Sequence, residues 1–285
     1  MPEGHTLHRL AILHTRRYGG RPVEVSSPQG RFATSAELVD GRVLESAEAH
    51  GKHLFHHYGP DLVVHVHLGL YGKFSDHRLP AEEPRGQVRM RMIGETHYAD
   101  LRGPAACELL TEAEADAIHG RLGEDPLRDD ADPERAWARI SRSRAPLATL
   151  LMDQSVIAGV GNVYRAEALF RHGLDPQLPG RALTRTCWDE LWADVVDLLH
   201  DGVRRGKIET LRPEHDPRLH DMGVGPCARA AYVYKRTGEP CLVCGTPVAH
   251  ARHLARNLFW CPVCQGPERK PARRAAGRAR GRTIN

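Results

Sequence analysis

The chain has 285 residues, enough for two compact domains or for one domain with a small appended module. Its 40 Lys and Arg against 36 Asp and Glu leave a net charge of +4, and neither a run of eighteen apolar residues nor an apolar N-terminal leader is found. A spanning helix and a secretory signal are therefore not expected, and the cytoplasm is the expected location. Seven cysteines are an odd number and poor material for a disulfide framework in a reducing compartment, so a tight cluster among them reads as a metal site.

The chain opens MPEGHTLHRLA. Initiator methionine is usually removed before a small residue, so the mature chain is expected to begin at Pro2, whose free secondary amine is a potential nucleophile. Leu7, Leu10, Ala11 and His14 then fit one face of a short helix that ends at Gly19 and Gly20. From Arg21 to Ala106 the period shifts toward two: RVLESAEAHGKHLFHHYG reads as a strand pair, VVHVHLGLYGKF alternates over 63–74, and QVRMRMIGETHYADL holds an IGE turn. This predicts a β-sandwich. GEDPLRDDADP, between Gly123 and Pro133, has the Pro, Gly and acidic residues of a linker.

After the linker the pattern is helical, over 148–170 and 187–203, and a polar, Gly/Pro-rich loop is expected over 207–230. GVGN at 159–162 predicts a glycine-rich turn whose backbone N–H groups approach a phosphate at the start of a helix. CLVC at 241–244 and CPVC at 261–264 are separated by sixteen residues, room for a hairpin that closes a tetrahedron of Cys241, Cys244, Cys261 and Cys264 around one structural zinc ion. Cys107, Cys187 and Cys227 are expected to be packing residues. Within the hairpin, Arg252, His253 and Arg256 make a basic edge suited to phosphate. The last nineteen residues carry seven Lys and Arg against one Glu and are expected to be a disordered basic tail. The expected fold is thus multidomain α+β: a β-sandwich domain over 1–122, a linker over 123–134, a helical domain over 135–230, a zinc finger over 231–265 and the tail over 266–285.

The start PEG, the segment LMDQSVIAGVGNVYRAEALF and the stretch VYKRTGEPCLVCGTPVAHARHLARNLFWCPVCQ together resemble the formamidopyrimidine-DNA glycosylase/endonuclease VIII (Fpg/Nei) family over about residues 1–265. The resemblance implies an N-terminal β-sandwich, a helix–two-turns–helix domain and a zinc finger, with damaged DNA in the cleft between them. It implies Pro2 as nucleophile, Glu3 as its acid/base partner, Lys52 as a contact to the lesion strand, and Asn162 and Arg256 as grips on the flanking phosphates. Gly4 would let the backbone approach the sugar. Leu70 and Tyr71, in HLGLYG at 67–72, fall where the family carries residues that fill the void left by the extruded nucleotide; strand core is the competing reading for them. Gly69 departs from the endonuclease VIII pattern, which has a polar side chain there.

The implied activity is that of a bifunctional glycosylase and abasic-site lyase of base-excision repair, working as a monomer through a Pro2 iminium and β/δ-elimination. The MPEGH start resembles a Nei-type actinobacterial branch, which favours oxidised pyrimidines over 8-oxoguanine and implies a bacterial, nucleoid-associated enzyme. Purine lesions or crosslinks as substrates, duplex against single-stranded or bubble DNA, and a non-catalytic damage-binding protein stay open at this point.

Overall fold

The structure, a computed structural model, describes residues 2–216, 219 and 230–266. Part of the expected polar loop, Cys227 and almost all of the basic tail lie outside the described residues.

Helix α1 (Gly4–Tyr18) buries Leu7, Ala11, His14 and Tyr18, the face read from its spacing. Ten strands follow: β1 (Arg21–Pro22), β2 (Glu24–Ser26), β3 (Val43–Leu44), β4 (Ser46–His50), β5 (His53–His57), β6 (Val63–His67), β7 (Lys73–Arg78), β8 (Val88–Ile93), β9 (His97–Arg102) and β10 (Ala106–Leu110), with helix α2 (Ala33–Val39) between β2 and β3. Two antiparallel four-stranded sheets form, in the orders β10-β6-β5-β4 and β2-β8-β9-β7. Leu54, Val64 and Val66 of the first sheet and Met90, Met92 and Leu101 of the second share one core with Leu7 and Ala11 of α1. The sandwich is therefore closed partly by the helix that starts the chain.

The stretch 63–74 is two strands rather than one, because residues 68–72 leave the ladder in a tight loop. Strand β6 does not show clean alternation either: Val63, Val64 and Val66 are fully buried. The reason is helix α3 (Glu112–Arg121), capped by Thr111 and Glu114, which lays Ala115 and Ile118 over Phe55 and Val63 on the outer face of the sheet.

Residues 122–132 lead into α4 (Pro133–Ile140), and this segment is not a solvated tether. Asp125 is buried and accepts from the Gly51 N–H at 2.6 Å while His8 lies 2.7 Å from it. Helices α4, α5 (Leu147–Leu150), α6 (Asn162–Arg171) and α7 (Arg185–Arg205) form the second domain. Every residue of α6 from Asn162 to Phe170 is buried. Tyr164, Ala168 and Leu169 face the helical core, whereas Ala166 and Phe170 face a third core built around the cysteines and the hairpin of β11 (Ala249–His253) and β12 (Arg256–Trp260). Helix α6 is thus the spine on which the last two units are packed.

One polar cluster ties α3 to the sheet. His50 Nε2 faces the Gly123 carbonyl at 3.1 Å, which only accepts, so His50 Nδ1 is the acceptor for His119 Nδ1–H at 3.0 Å. His119 Nε2 then meets Glu48 at 3.2 Å, and His57 Nε2 meets the same oxygen at 3.6 Å while its Nδ1 lies 3.1 Å from Glu112. Hydrogen bonds from His119 and His57 hold the Glu48 carboxyl well below its ordinary value of 4.5, and the bond to Glu48 raises His57 above 6.5. The depressed carboxylate contributes stability that is lost as pH falls through its folded value. The raised imidazole contributes stability that is lost as pH rises through its own. The contact is therefore strongest between about pH 4.5 and 6.5. Chemical denaturation of the wild type and of His57→Gln is expected to show a larger stability gap at pH 5.5 than at pH 8.5, since the contribution of the raised imidazole is lost as it deprotonates; a gap that does not narrow with rising pH would refute the charged contact.

Candidate active site

The site forms where the start of the chain meets the start of α6. Glu3 precedes α1, yet its side chain caps a different helix. It is fully buried, and its carboxylate accepts from the backbone N–H groups of Gly161 at 3.0 Å, Val163 at 2.8 Å and Tyr164 at 3.3 Å. These are the free donors and the positive dipole end of α6. The glycine turn at 159–162 thus does bind an anion, but the anion is Glu3, so the phosphate predicted for those N–H groups has no place there. Burial raises the Glu3 carboxyl above its ordinary value, against the opposing pull of Lys52 and the three N–H donors.

Gly4 N donates to the Gly159 carbonyl at 2.9 Å, and a Cβ on Gly4 would lie 2.8 Å from Gly159 Cα. A Cβ on Gly51 would meet Ala158 at 2.9 Å. Gly4 therefore serves the backbone-to-backbone seam between the two domains, which is a different reason for a glycine than access to a sugar. Gln154 holds the other side of the turn, donating to Val160 O at 2.9 Å and accepting from Gly159 N at 3.1 Å.

Pro2 is partly exposed and lines two cavities. The first, of about 580 Å³, also holds Glu3, Lys52, Leu70, Arg165 and Arg256. The second, of about 760 Å³, holds His5, Tyr71, Lys73, Lys207 and Tyr234. Lys52 Nζ donates to Val160 O at 2.7 Å, and burial, with the charges of Arg256 and Arg165, lowers it to about 8. Leu70 and Tyr71 are 56% and 88% exposed on the loop between β6 and β7, so they are not strand core. They flank Pro2 from opposite sides, one in each cavity. Gly69 has a φ of +66°, and a Cβ there would lie 2.8 Å from that of Ala105, so this loop has no room for the polar side chain of the endonuclease VIII pattern.

Asn162 is the first residue of α6 and gives its Nδ2 to the Asn257 carbonyl at 3.0 Å on β12. Arg256, next to Asn257, is exposed at the mouth of the first cavity, and His253 is anchored by Thr149 at 2.8 Å. Arg252 is exposed on β11 and does not line either cavity around Pro2. The two-residue turn between the strands, Leu254 and Ala255, has φ of 46° and 60°, a conformation costly for residues with a Cβ.

The four Sγ atoms of Cys241, Cys244, Cys261 and Cys264 lie within 4.8 Å of one another, with Cys241 to Cys264 at 3.9 Å and Cys244 to Cys261 at 3.4 Å. A tetrahedral ion with metal–sulfur bonds of about 2.3 Å needs edges of about 3.8 Å, so the set fits zinc and leaves no ligand position open. Cys107 and Cys187 border the sandwich and helical cores, as packing residues do.

Sequence reasoning brought Pro2, Glu3, Lys52, Leu70 and Arg256 into one cavity but missed Arg165 and Gln154. Arg165 had a legible signal: it is a lone cation in the apolar run from Val163 to Phe170, one turn after Asn162.

Residues 1–107 match the formamidopyrimidine-DNA glycosylase N-terminal domain, residues 122–213 its H2TH domain, and residues 238–266 the zinc finger found in FPG and IleRS. Endonuclease 8 1 of Mycobacterium tuberculosis is 58% identical over 269 residues, covering 93% of this chain and all of the relative. The chain belongs to the Fpg/Nei family. The formamidopyrimidine-DNA glycosylase of Albidiferax ferrireducens is 34% identical over 81% of the chain and 85% of its own length. Lactococcus lactis Fpg bound to DNA containing an oxidised pyrimidine superposes with a TM-score of 0.73 at 20% identity, covering 93% of this chain and all of that one. The same protein bound to abasic-site DNA gives 0.72 at 20% identity, over 93% and 99%. Members of the family are DNA glycosylases and abasic-site lyases, and this chain is a DNA-binding, metal-binding repair glycosylase. Among the described residues no helix is long and apolar enough to cross a membrane.

Since the cysteines close the module that carries Arg256, metal analysis is expected to find one zinc per chain, and its removal by a chelator to abolish DNA binding. Retained binding by metal-free protein would show that the hairpin folds without the ion.

Proposed function

We propose that the protein is a monomeric glycosylase and lyase of endonuclease VIII type, with Pro2 as nucleophile, acting on oxidised pyrimidines and abasic sites in DNA. The observation that carries this reading is the position of Pro2: its ring lines both cavities, with the buried Glu3 carboxyl in the first. Once methionine is removed, a free α-amine of pKa about 8 has a useful neutral fraction at working pH without any neighbouring base.

In the proposed sequence the Pro2 nitrogen forms a bond to C1′ of the extruded nucleotide. The glycosidic bond breaks, its electron pair leaves with the base, and the base takes up the proton that the Pro2 nitrogen loses as its bond to C1′ forms. Glu3, whose carboxyl burial keeps nearer to protonation, gives its proton to O4′ as the sugar ring opens, leaving a Pro2 iminium. The iminium acidifies the C2′ protons. Loss of one expels the 3′ phosphate, and a further elimination expels the 5′ phosphate. Lys52, with a value near 8, carries a proton or a charge beside the lesion strand as needed.

The extruded nucleotide must leave the stack at a cost of a few kcal/mol. Leu70 and Tyr71, exposed on a tight loop, are suited to fill the space it vacates, and Asn162 and Arg256 to hold the flanking phosphates. The 58% identity to Endonuclease 8 1 supports the oxidised-pyrimidine preference over that for 8-oxoguanine.

Borohydride trapping on oligonucleotides with an abasic site or an oxidised pyrimidine, with mass spectrometry of the mature N-terminus, tests the reading. A covalent adduct that vanishes in Pro2→Gly is expected. Absence of an adduct from protein that verifiably begins at Pro2 would leave only damage binding. For the phosphate grip, Arg256→Ala is expected to weaken binding to all sequences alike and to lower the salt slope by about one unit; an unchanged slope would reject that role.

A further inference from the structure

We propose that Arg165 is a further cation of the DNA grip, buried with its charge unmatched in the free protein and matched by phosphate when DNA enters the cleft. The inference rests on the DNA-bound reading of the first cavity.

Arg165 is 1% exposed, and a buried guanidinium is costly unless an anion pairs with it. The other buried arginines of the chain obey that rule. Arg91 makes a bidentate pair with Asp100 at 2.6 and 2.8 Å, and Arg236 meets Glu239 at 2.8 Å. Arg165 has only neutral partners among the described residues: Nη1 donates to Ala148 O at 3.2 Å, Nη2 donates to Asn257 O at 3.0 Å and to Asn162 Oδ1, and Nε is buried with no partner.

The carboxylates of the cavity do not pair with it: Glu3 draws on Arg165 only at a distance and bonds three backbone N–H groups, and Asp153 bonds Ser155 through its N–H at 2.9 Å and its hydroxyl at 2.7 Å. Lys52, Arg165 and Arg256 line the same space, and burial together with Arg256 brings Arg165 down to about 10. A phosphate entering that space meets an excess of positive charge.

The same side chain also fixes geometry. Its bonds join the start of α6 to the start of β12 and to α5. Asn162 Nδ2 gives one of its two N–H groups to the Asn257 carbonyl, which leaves the other for a phosphate. Arg165 Nη2 donates to the same carbonyl at 3.0 Å, so two side chains of α6 hold the hairpin.

The test is binding of zinc-loaded full-length protein to a duplex carrying a tetrahydrofuran abasic analogue, across a range of KCl concentrations, for wild type, Arg165→Gln and Arg165→Lys. Glutamine keeps donors but no charge. It is expected to weaken binding roughly tenfold and to lower the salt slope by about one unit, while lysine keeps the wild-type slope. Glutamine cannot reach all of the acceptors on Ala148, Asn162 and Asn257, so the DNA-free variant is expected to stay folded at the binding temperature but to melt somewhat earlier than wild type. A wild-type slope in Arg165→Gln, or a slope that falls equally in Arg165→Lys, would overturn the proposal. So would an Arg165→Gln protein that fails to fold, since that would mean the side chain's bonds within the protein, rather than its charge toward DNA, are what the site needs. Wild-type protein that neither binds this duplex nor is trapped on an abasic site would sink the functional reading itself; wild-type binding with an unchanged Arg165→Gln slope would sink only this inference.

Discussion

The carboxylate of Glu3 on the amino end of α6 is the contact around which the site is organised. A buried carboxylate needs partners, and three backbone N–H groups at a helix start supply them together with a favourable dipole. Because Glu3 follows Pro2 directly, satisfying that one side chain places the amine at the boundary between two cavities. Because Asn162 begins the same helix, it also fixes the distance from the amine to the residues suited to grip phosphate. One electrostatic requirement thereby sets Pro2 and Asn162 in a common frame.

Helix α6 transmits that frame to the metal-bound module. Its two buried faces belong to different cores, and Asn162 and Arg165 add polar links to Asn257 of the hairpin. The ion needed by Cys241, Cys244, Cys261 and Cys264 thus serves a site far from itself, through the rigidity of a hairpin too small to hold its shape alone. That rigidity is also what sustains two left-handed residues with side chains, Leu254 and Ala255, next to Arg256.

Much of this was legible in the residues. The faces of α1, the pairing of β4 with β5 and of β8 with β9, and the metal ligands all follow from spacing, since each is a local pattern. What spacing could not disclose is which distant groups satisfy one another. Glu3 reads as a residue that favours α1, and GVGN as a phosphate turn, until folding brings them together and each supplies what the other lacks. The alternation expected of β6 failed for a related reason: α3, whose pattern is weak, covers the sheet's outer face. Strand core stayed a competing reading for Leu70 and Tyr71 because Gly69 and Gly72 break the ladder only through backbone angles and close contacts that composition does not reveal.

The glycine seam at residues 4, 51 and 159 limits how the two domains can shift against each other. Main chain touches main chain there, with no side chains between that could repack and let the two halves slide. Helix α1 is embedded in the sandwich core while the residue before it is anchored to α6, so both domains are stapled within one residue of Pro2. The seam is therefore a close-packed line between the two domains, and Pro2 lies beside it. Whatever separates the outer rims of the domains, the spacing of Pro2 and Glu3 is set on that line, where the backbone leaves least room to shift.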